Sequence, residues 1–296
     1  MNKLIHQLFK AAYRPLLKLF QGKEAFLASF PPLKFVHYLL VSDLIKACPS
    51  VEIEGYRMYL SSKDKDVSFS LLVNGVYGKF ATEVFKREIK RGMCIVDIGA
   101  HIGYYTLLFA KLTGENGKVF AFEPDPENFS LLTKNVEING YKNVVLIPKA
   151  VSNFTGKTKL FLDKDSSTGH RTYLFDQKKE KNWLLVETVS LDDFFKDRDW
   201  NIDLLKIDIE GAEYAAFQGM SGLLKKNNRL KIVTEFYPKL IKEFGLCPED
   251  YLKALTYWGF KFYCINEQKE KIESIDIPEI MRICAGNTVI NLLCSK

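Results

Sequence analysis

The sequence has no apolar run approaching the 18 or more residues that a membrane-crossing helix needs, so no spanning segment is expected. Its charged N-terminus is not followed by an uninterrupted apolar stretch with a small-residue cleavage site, which argues against a secretory signal. Cysteines are few: Cys48, Cys94, Cys247, Cys264, Cys284 and Cys294. None forms a Cys-x-x-Cys pair, and Cys94, Cys264 and Cys294 sit inside apolar runs. Such cysteines read as small buried hydrophobes in a reducing compartment rather than as disulfide or zinc positions. Internal repeats and low-complexity tracts are absent. There is also no long basic run with interleaved aromatics, although the formal charge is +6. Lys, Arg, Asp and Glu are interspersed along the chain, so nucleic acid is not expected as a partner.

What is present is a 296-residue chain, 47% hydrophobic, long enough for one enlarged domain or one domain with an appendage. Residues 4–20 place Leu4, Ile5, Leu8, Phe9, Ala12, Leu16 and Phe20 at helical spacing among Lys3, Lys10, Arg14 and Lys18. This basic amphipathic helix is expected to pack on the main domain or a partner subunit. Its alternative is contact with an anionic membrane surface through residues 1–20. Cytoplasmic placement is expected, with membrane association as the second reading, and a homo-oligomer is compatible with the helix. After Pro31 and Pro32, Leu33–Cys48 looks helical. Val51–Leu60 and Val67–Leu72 read as two strands joined by the polar turn Ser61–Asp66, followed by a helix from about Lys79 to Lys90. Residues 1–90 therefore read as an α+β appendage, and 91–296 as the main domain.

From Gly92 the pattern is regular. Strands are expected at Cys94–Ile98, Val119–Phe122, Val144–Ile147, Asp203–Ile207 and Leu230–Glu235, alternating with helices at Gly103–Leu112, Pro126–Ile138 and Ala212–Gly219. Asp125 can cap the second helix, Pro126 suits its first turn and Gly140 can end it. Phe260–Ile265 and Thr288–Cys294 can pair as an antiparallel hairpin, and Thr155–Val189 is an insertion of short strands and a polar loop. Alternation of this kind argues an α/β, doubly wound, mainly parallel sheet covered by helices on both faces.

Two segments carry chemistry. Val96-Asp97-Ile98-Gly99-Ala100-His101-Ile102-Gly103 runs from a strand into a helix, where such folds bind ligands. A dinucleotide loop needs Gly-x-Gly-x-x-Gly so that the backbone can approach a pyrophosphate. Here His101 and Tyr104 occupy the second and third glycine positions, which argues against a nicotinamide cofactor. An Asp-x-Gly-x-x-x-Gly loop suits a bulkier ligand without phosphate: Asp97 can accept from an ammonium group and amides at the helix start can meet a carboxylate. Glu123, 24 residues after Gly99 and at the end of the second strand, can accept both ribose hydroxyls of a nucleoside. The second segment is Leu204-Leu205-Lys206-Ile207-Asp208-Ile209-Glu210-Gly211-Ala212-Glu213. With a period of two, Lys206, Asp208 and Glu210 are expected on one side of a buried strand. Three such charges imply an ion-pair network, a polar active site, or both.

These segments, with Phe122-Glu123-Pro124, Asn135 to Asn139, Ala150-Val151-Ser152 and Leu191-Asp192-Asp193, resemble the FkbM methyltransferase family over about residues 75–240, most specifically in the Lys206–Glu213 block. The loop Gly169-His170-Arg171-Thr172-Tyr173 is similar to a form seen in part of that family, which often carries Asn where this chain has His101. The resemblance implies a Rossmann-like class I fold with a seven-stranded sheet. It implies S-adenosyl-L-methionine as cofactor and methylation of a hydroxyl on a sugar, glycolipid or other small natural product. It places Asp97, Gly99, Ala100, His101, Gly103, Glu123, Pro124 and Ala150 at the cofactor and Asp208 facing the reacting centre. A sugar hydroxyl is a weak nucleophile, so a base is needed within hydrogen-bond reach. Asp208 and His170 are the candidates, with Glu210 and Glu235 behind them and Lys206 favouring ionised carboxylates nearby. Asp208 as ligand of a divalent metal is the other option, although no complete oxygen-ligand set is visible. A nucleoside-binding scaffold that has lost catalysis is the reading from a different class.

Overall fold

The computed structural model describes residues 49–64, 66–161, 171–172, 183–286 and 288–296, with a few positions between 42 and 46. The amphipathic helix expected at residues 4–20, the helix expected from Leu33, and His170 lie outside the described residues. The described residues form two units, one ending at Tyr77 and the other starting at Gly78.

In the smaller unit, strands β1 (Ser50–Ile53) and β2 (Tyr56–Tyr59) form an antiparallel hairpin. The single strand expected over Val51–Leu60 is therefore folded back on itself, because Glu54 (φ 46°) and Gly55 (φ 84°) supply the left-handed pair that a tight hairpin turn requires. Val67–Leu72, expected as a strand, lies in the helix Val67–Asn74. Its alternating Val67, Phe69, Leu71 and Val73 suit a strand, but the Asp64 carboxylate accepts the amides of Asp66, Val67 and Ser68 at 3.0, 3.1 and 2.7 Å. That satisfies the orphan donors of a helix start, and Gly75 at φ 72° closes the other end.

The larger unit is built on an eight-stranded sheet. In chain order its strands are β3 (Cys94–Ile98), β4 (Lys118–Phe122), β5 (Val144–Ile147), β10 (Leu204–Ile207), β11 (Lys231–Phe236), β12 (Lys261–Asn266), β13 (Lys271–Ile275) and β14 (Ile290–Ser295). Their spatial order is β13-β12-β14-β11-β10-β3-β4-β5. Strands β5, β4, β3, β10 and β11 are parallel, and β14 is antiparallel to both β11 and β12. The expected pairing of the last two apolar runs is present, but β12 makes its hairpin with β13, an eighth edge strand of mixed polarity, before the chain returns as β14. The chain enters at β3, moves outward through β4 and β5, then crosses back to β10 beside β3. That reversal is the topological switch point at which open α/β sheets bind ligands.

Side-chain alternation divides the sheet. Val96, Ile98, Leu205, Ile207 and Ile232 face a core completed by Ala216, Phe217, Leu224, Tyr251 and Leu255. Ile95, Val119, Leu204 and Val233 face Phe80, Val84 and Phe85 of helix Lys79–Glu88, and Leu108 and Phe109 of helix Tyr104–Thr113. Two residues further along three of these strands, on that second face, stand Asp97, Lys206 and Glu235. The middle of these three strands is thus apolar on this face, and Asp97, Lys206 and Glu235 bring charge to its carboxyl edge. Between β5 and β10 the insertion forms a second sheet, in the order β6-β9-β7-β8, from β6 (Ala150–Val151), β7 (Gly156–Phe161), β8 (Arg171–Thr172) and β9 (Trp183–Val189). Cys94, Cys264, Cys284 and Cys294 are buried and free, and burial pushes the Cys94 thiol up to about 12. No helix among the described residues is long and apolar enough to cross a membrane.

Candidate active site

Two loops meet at the switch point, one leaving β3 and one leaving β10. Gly99 has φ 79°, and a Cβ there would fall 2.0 Å from the carbonyl oxygen of Asp208 and 2.9 Å from Ile209 Cγ2. Only glycine admits both the backbone angle and the approach. The amides of Gly99 and Ala100 both donate to Phe122 O, at 3.0 and 2.9 Å, and the Asp208 amide donates to Ile98 O at 3.1 Å. Gly103 (φ 96°) lets the first turn of helix Tyr104–Thr113 close against Leu132, and Asn135 Nδ2 donates to Ile102 O at 2.7 Å. His101 (φ 52°) and Glu210 (φ 56°) are non-glycine residues in the left-handed region, one in each loop. Such strain concentrates at functional sites.

The charged centre is built on Lys206, whose side chain is 7% exposed. Its ammonium lies 3.5 Å from Asp97 Oδ1 and 3.4 Å from Asp208 Oδ2, and donates to Gly99 O at 3.0 Å. Burial acts to lower the Lys206 pKa, but Asp208 and Asp97 outweigh it and hold the ammonium above its ordinary value. Asp97 is fully buried. Its Oδ2 accepts the Thr106 hydroxyl at 2.6 Å, while Oδ1 has no hydrogen-bond donor among the described residues, so its contact with Lys206 is one of charge without hydrogen-bond geometry. Asp208, in contrast, leaves 35% of its side chain exposed. Glu210 does not continue the alternation expected of it: β10 ends at Ile207, and Glu210 turns with the loop. Glu235, at the neighbouring edge of β11, is held well above the usual carboxylate range by burial, with the charges of Asp208, Glu210 and Glu213 adding to it.

Glu123 lies at the end of β4, nearly buried. Its Oε2 accepts the His101 amide at 2.8 Å and its Oε1 the Asp125 amide at 2.9 Å. Burial raises its pKa to about 7 against the pull of these two bonds. Pro124 follows directly and leads to Asp125, whose side chain caps helix Pro126–Ile138 through the Asn128 amide. Ala150 starts β6, buried against Leu160 and Val186. The structure therefore gathers Asp97, Gly99, Lys206 and Asp208 at one point, and ties His101 to Glu123. Ala150 belongs to the second sheet. Thr106, which holds Asp97, and Glu213, which binds the β10 loop, were not singled out from sequence. Thr106 reads there as one more polar residue in a helix, and Glu213 as one more charge in an acidic block. Among the described residues no group of three or more His, Cys, Asp or Glu side chains is placed to hold a metal ion.

A switch-point site with glycine-hinged loops and an acidic residue closing the second strand, on this strand order, has the architecture of the class I methyltransferase fold. The Methyltransferase FkbM domain matches residues 97–262, more than half of the chain, and the chain belongs to that family. It is 43% identical over 60 residues to a protein-L-isoaspartate O-methyltransferase of Methanococcoides burtonii, an alignment covering 20% of this chain and 30% of that protein. It is 24% identical over 162 residues to the hexuronic acid methyltransferase AglP of Haloferax volcanii, covering 54% of this chain and 60% of that protein. Each match thus spans less than two thirds of the relative's length. Among solved structures, Aeropyrum pernix fibrillarin with natively bound S-adenosyl-L-methionine superposes with a TM-score of 0.43 at 11% identity, covering 74% of each chain.

Proposed function

We propose that this chain methylates a hydroxyl oxygen of a sugar, glycolipid or other small natural product, with Asp208 as the group that takes the hydroxyl proton. The observation that carries this reading is the contrast within the charged centre. Asp97 and Lys206 are buried and serve each other, whereas Asp208 is tied to the same ammonium yet open to an incoming molecule. The likeness to a hexuronic acid methyltransferase supports a sugar acceptor.

The cofactor would be held by Asp97, Gly99, Ala100, His101, Gly103, Glu123, Pro124 and Ala150. Two features fit it: the buried Asp97 Oδ1, without a donor among the described residues, suits an ammonium group, and the Glu123 carboxylate at the strand end suits ribose hydroxyls. When bound, S-adenosylmethionine supplies an electrophilic methyl group on a sulfonium centre. The chain's own work is alignment and proton acceptance. The two loops fix the distance between cofactor and acceptor. Lys206 orients the Asp208 carboxylate, and Asp208 accepts the proton as the hydroxyl oxygen forms its new bond to carbon. His170 remains the alternative base, and chelation separates either from a metal-ligand role for Asp208.

A screen of sugars, uronic acid glycosides and glycolipids with S-adenosylmethionine, read by mass, tests the reading. It predicts gain of one methyl on oxygen in at least one acceptor. Cofactor binding without release of label from methyl-labelled cofactor to any acceptor in the screen would favour a scaffold.

A further inference from the structure

We infer that Glu213 is a positioning residue for methyl transfer: its buried carboxylate sets the loop that carries Asp208. The inference rests on the assignment of Asp208 to the reacting centre. Glu213 opens helix Glu213–Gln218 and is 1% exposed. Its Oε1 accepts the Ile209 amide at 3.0 Å and the Gly211 amide at 3.1 Å. Those two amides flank Glu210, so one oxygen clasps the turn in which Glu210 (φ 56°) and Gly211 (φ 103°) are both left-handed. Glu210, a non-glycine residue in that region, needs a partner that over-determines its conformation. On the opposite side Asp208 is pinned to β3 through its amide and through the close approach of its carbonyl to Gly99. Asp208 thus stands between a fixed strand and a clasped turn. The latter is the end that a side chain controls.

The other carboxylate oxygen, Oε2, is buried with no hydrogen-bond partner among the described residues. A carboxylate kept there for helix capping alone would be expected at the surface, where its second oxygen meets water. Burial pushes the Glu213 carboxyl up to about 7, and the amides of Glu213 itself, Ile209 and Gly211 work against that rise. The arrangement therefore needs an acceptor at Oε1 but no charge at Oε2. Glutamine meets the same need.

Three variants test this, using the acceptor found in the methylation screen. Glu213→Ala removes the clasp; turnover should fall about 10- to 100-fold at temperatures well below its melting point, while S-adenosylhomocysteine affinity and cofactor KM stay within about threefold of the parent. Glu213→Gln keeps an oxygen for both amides and should restore turnover to within about threefold. Glu213→Asp, one methylene shorter, cannot reach both amides and should resemble Ala, which keeps the test alive if the Ala variant fails to fold. Hydrogen exchange at Ile209 and Gly211 should quicken in Asp and Ala and not in Gln. Lowered melting with unchanged turnover would make Glu213 a plain helix cap, and a Gln variant as slow as Ala would show that charge, not the clasp, matters. Either overturns the inference. If Asp208→Asn is also fully active, the assignment of Asp208 has failed instead.

Discussion

A Cβ added to Gly99 would lie 2.0 Å from the carbonyl oxygen of Asp208, a separation no side chain tolerates. The loop proposed to hold the cofactor and the loop carrying the proposed base are therefore in backbone contact, and a methyl group at Gly99 must pry them apart. Gly99→Ala also pays for a left-handed backbone. We expect a stability loss of roughly 3 kcal/mol or more and a clear weakening of S-adenosylhomocysteine binding. Denaturant melts and calorimetry measure both; a variant equal to the parent in each would refute the contact.

Lys206 lies between two carboxylates, Asp97 and Asp208, at the buried end of its strand. Lys206→Met leaves Asp97 and Asp208 with no cation between them. Breaking such a buried pair costs on the order of 3–5 kcal/mol. Adding Asp97→Asn to Lys206→Met should recover part of that loss, because one uncompensated charge is then gone. If the double variant is no more stable than the single one, Asp97 is not the burden.

Much of this was legible in the sequence, for physical reasons that vary by segment. Helix Pro126–Ile138 announces itself by Asp125, Pro126 and its apolar spacing, and its bounds match. Strand β10 reads as buried from its apolar residues, but its period of two ends at Ile207, and the chain turns at Glu210. Glycine after Glu210 was the available warning. The Val67–Asn74 helix is hidden in the sequence because its alternation favours a strand, and the decisive feature, the Asp64 cap, is three residues outside the apolar run. Asp97, Gly99 and Asp208 stand out as charges and glycines in apolar strands. Thr106 and Glu213 do not, since their roles exist only once the loops are closed.

Glu123 is buried, and burial pushes its carboxyl up to about 7. In the proposed cofactor site ribose hydroxyls would donate to its ionised form, so binding should take up that form preferentially. S-Adenosylhomocysteine should bind more weakly at pH 6 than at pH 8, by up to about tenfold per unit below the pKa. Glu123→Gln should bind weakly at both values. Calorimetry across that range decides it, and a parent whose affinity is flat with pH would remove Glu123 from the cofactor.

The same two buried carboxyls, Glu123 and Glu213, have native pKa values raised to about 7 from the ordinary 4.5. Between these values the native state holds more protons than the unfolded chain, so each group's contribution to stability falls as pH rises through the window and levels off above it. Glu235 acts in the same direction. Urea midpoints of the ligand-free protein should drop from pH 5 to pH 8, and the slope should shrink in the double variant Glu123→Gln, Glu213→Gln. An identical slope in parent and double variant would contradict the assignment.

The central claim is that Asp208 takes the acceptor's proton at a site the rest of the chain prepares. Asp208→Asn keeps the shape of the side chain and removes its basicity. Turnover on the acceptor from the screen, measured beside S-adenosylhomocysteine affinity, is the direct test. The account predicts turnover lower by about 10²-fold or more with affinity changed little. Turnover within a few fold of the parent, or a loss that merely follows unfolding, would contradict it.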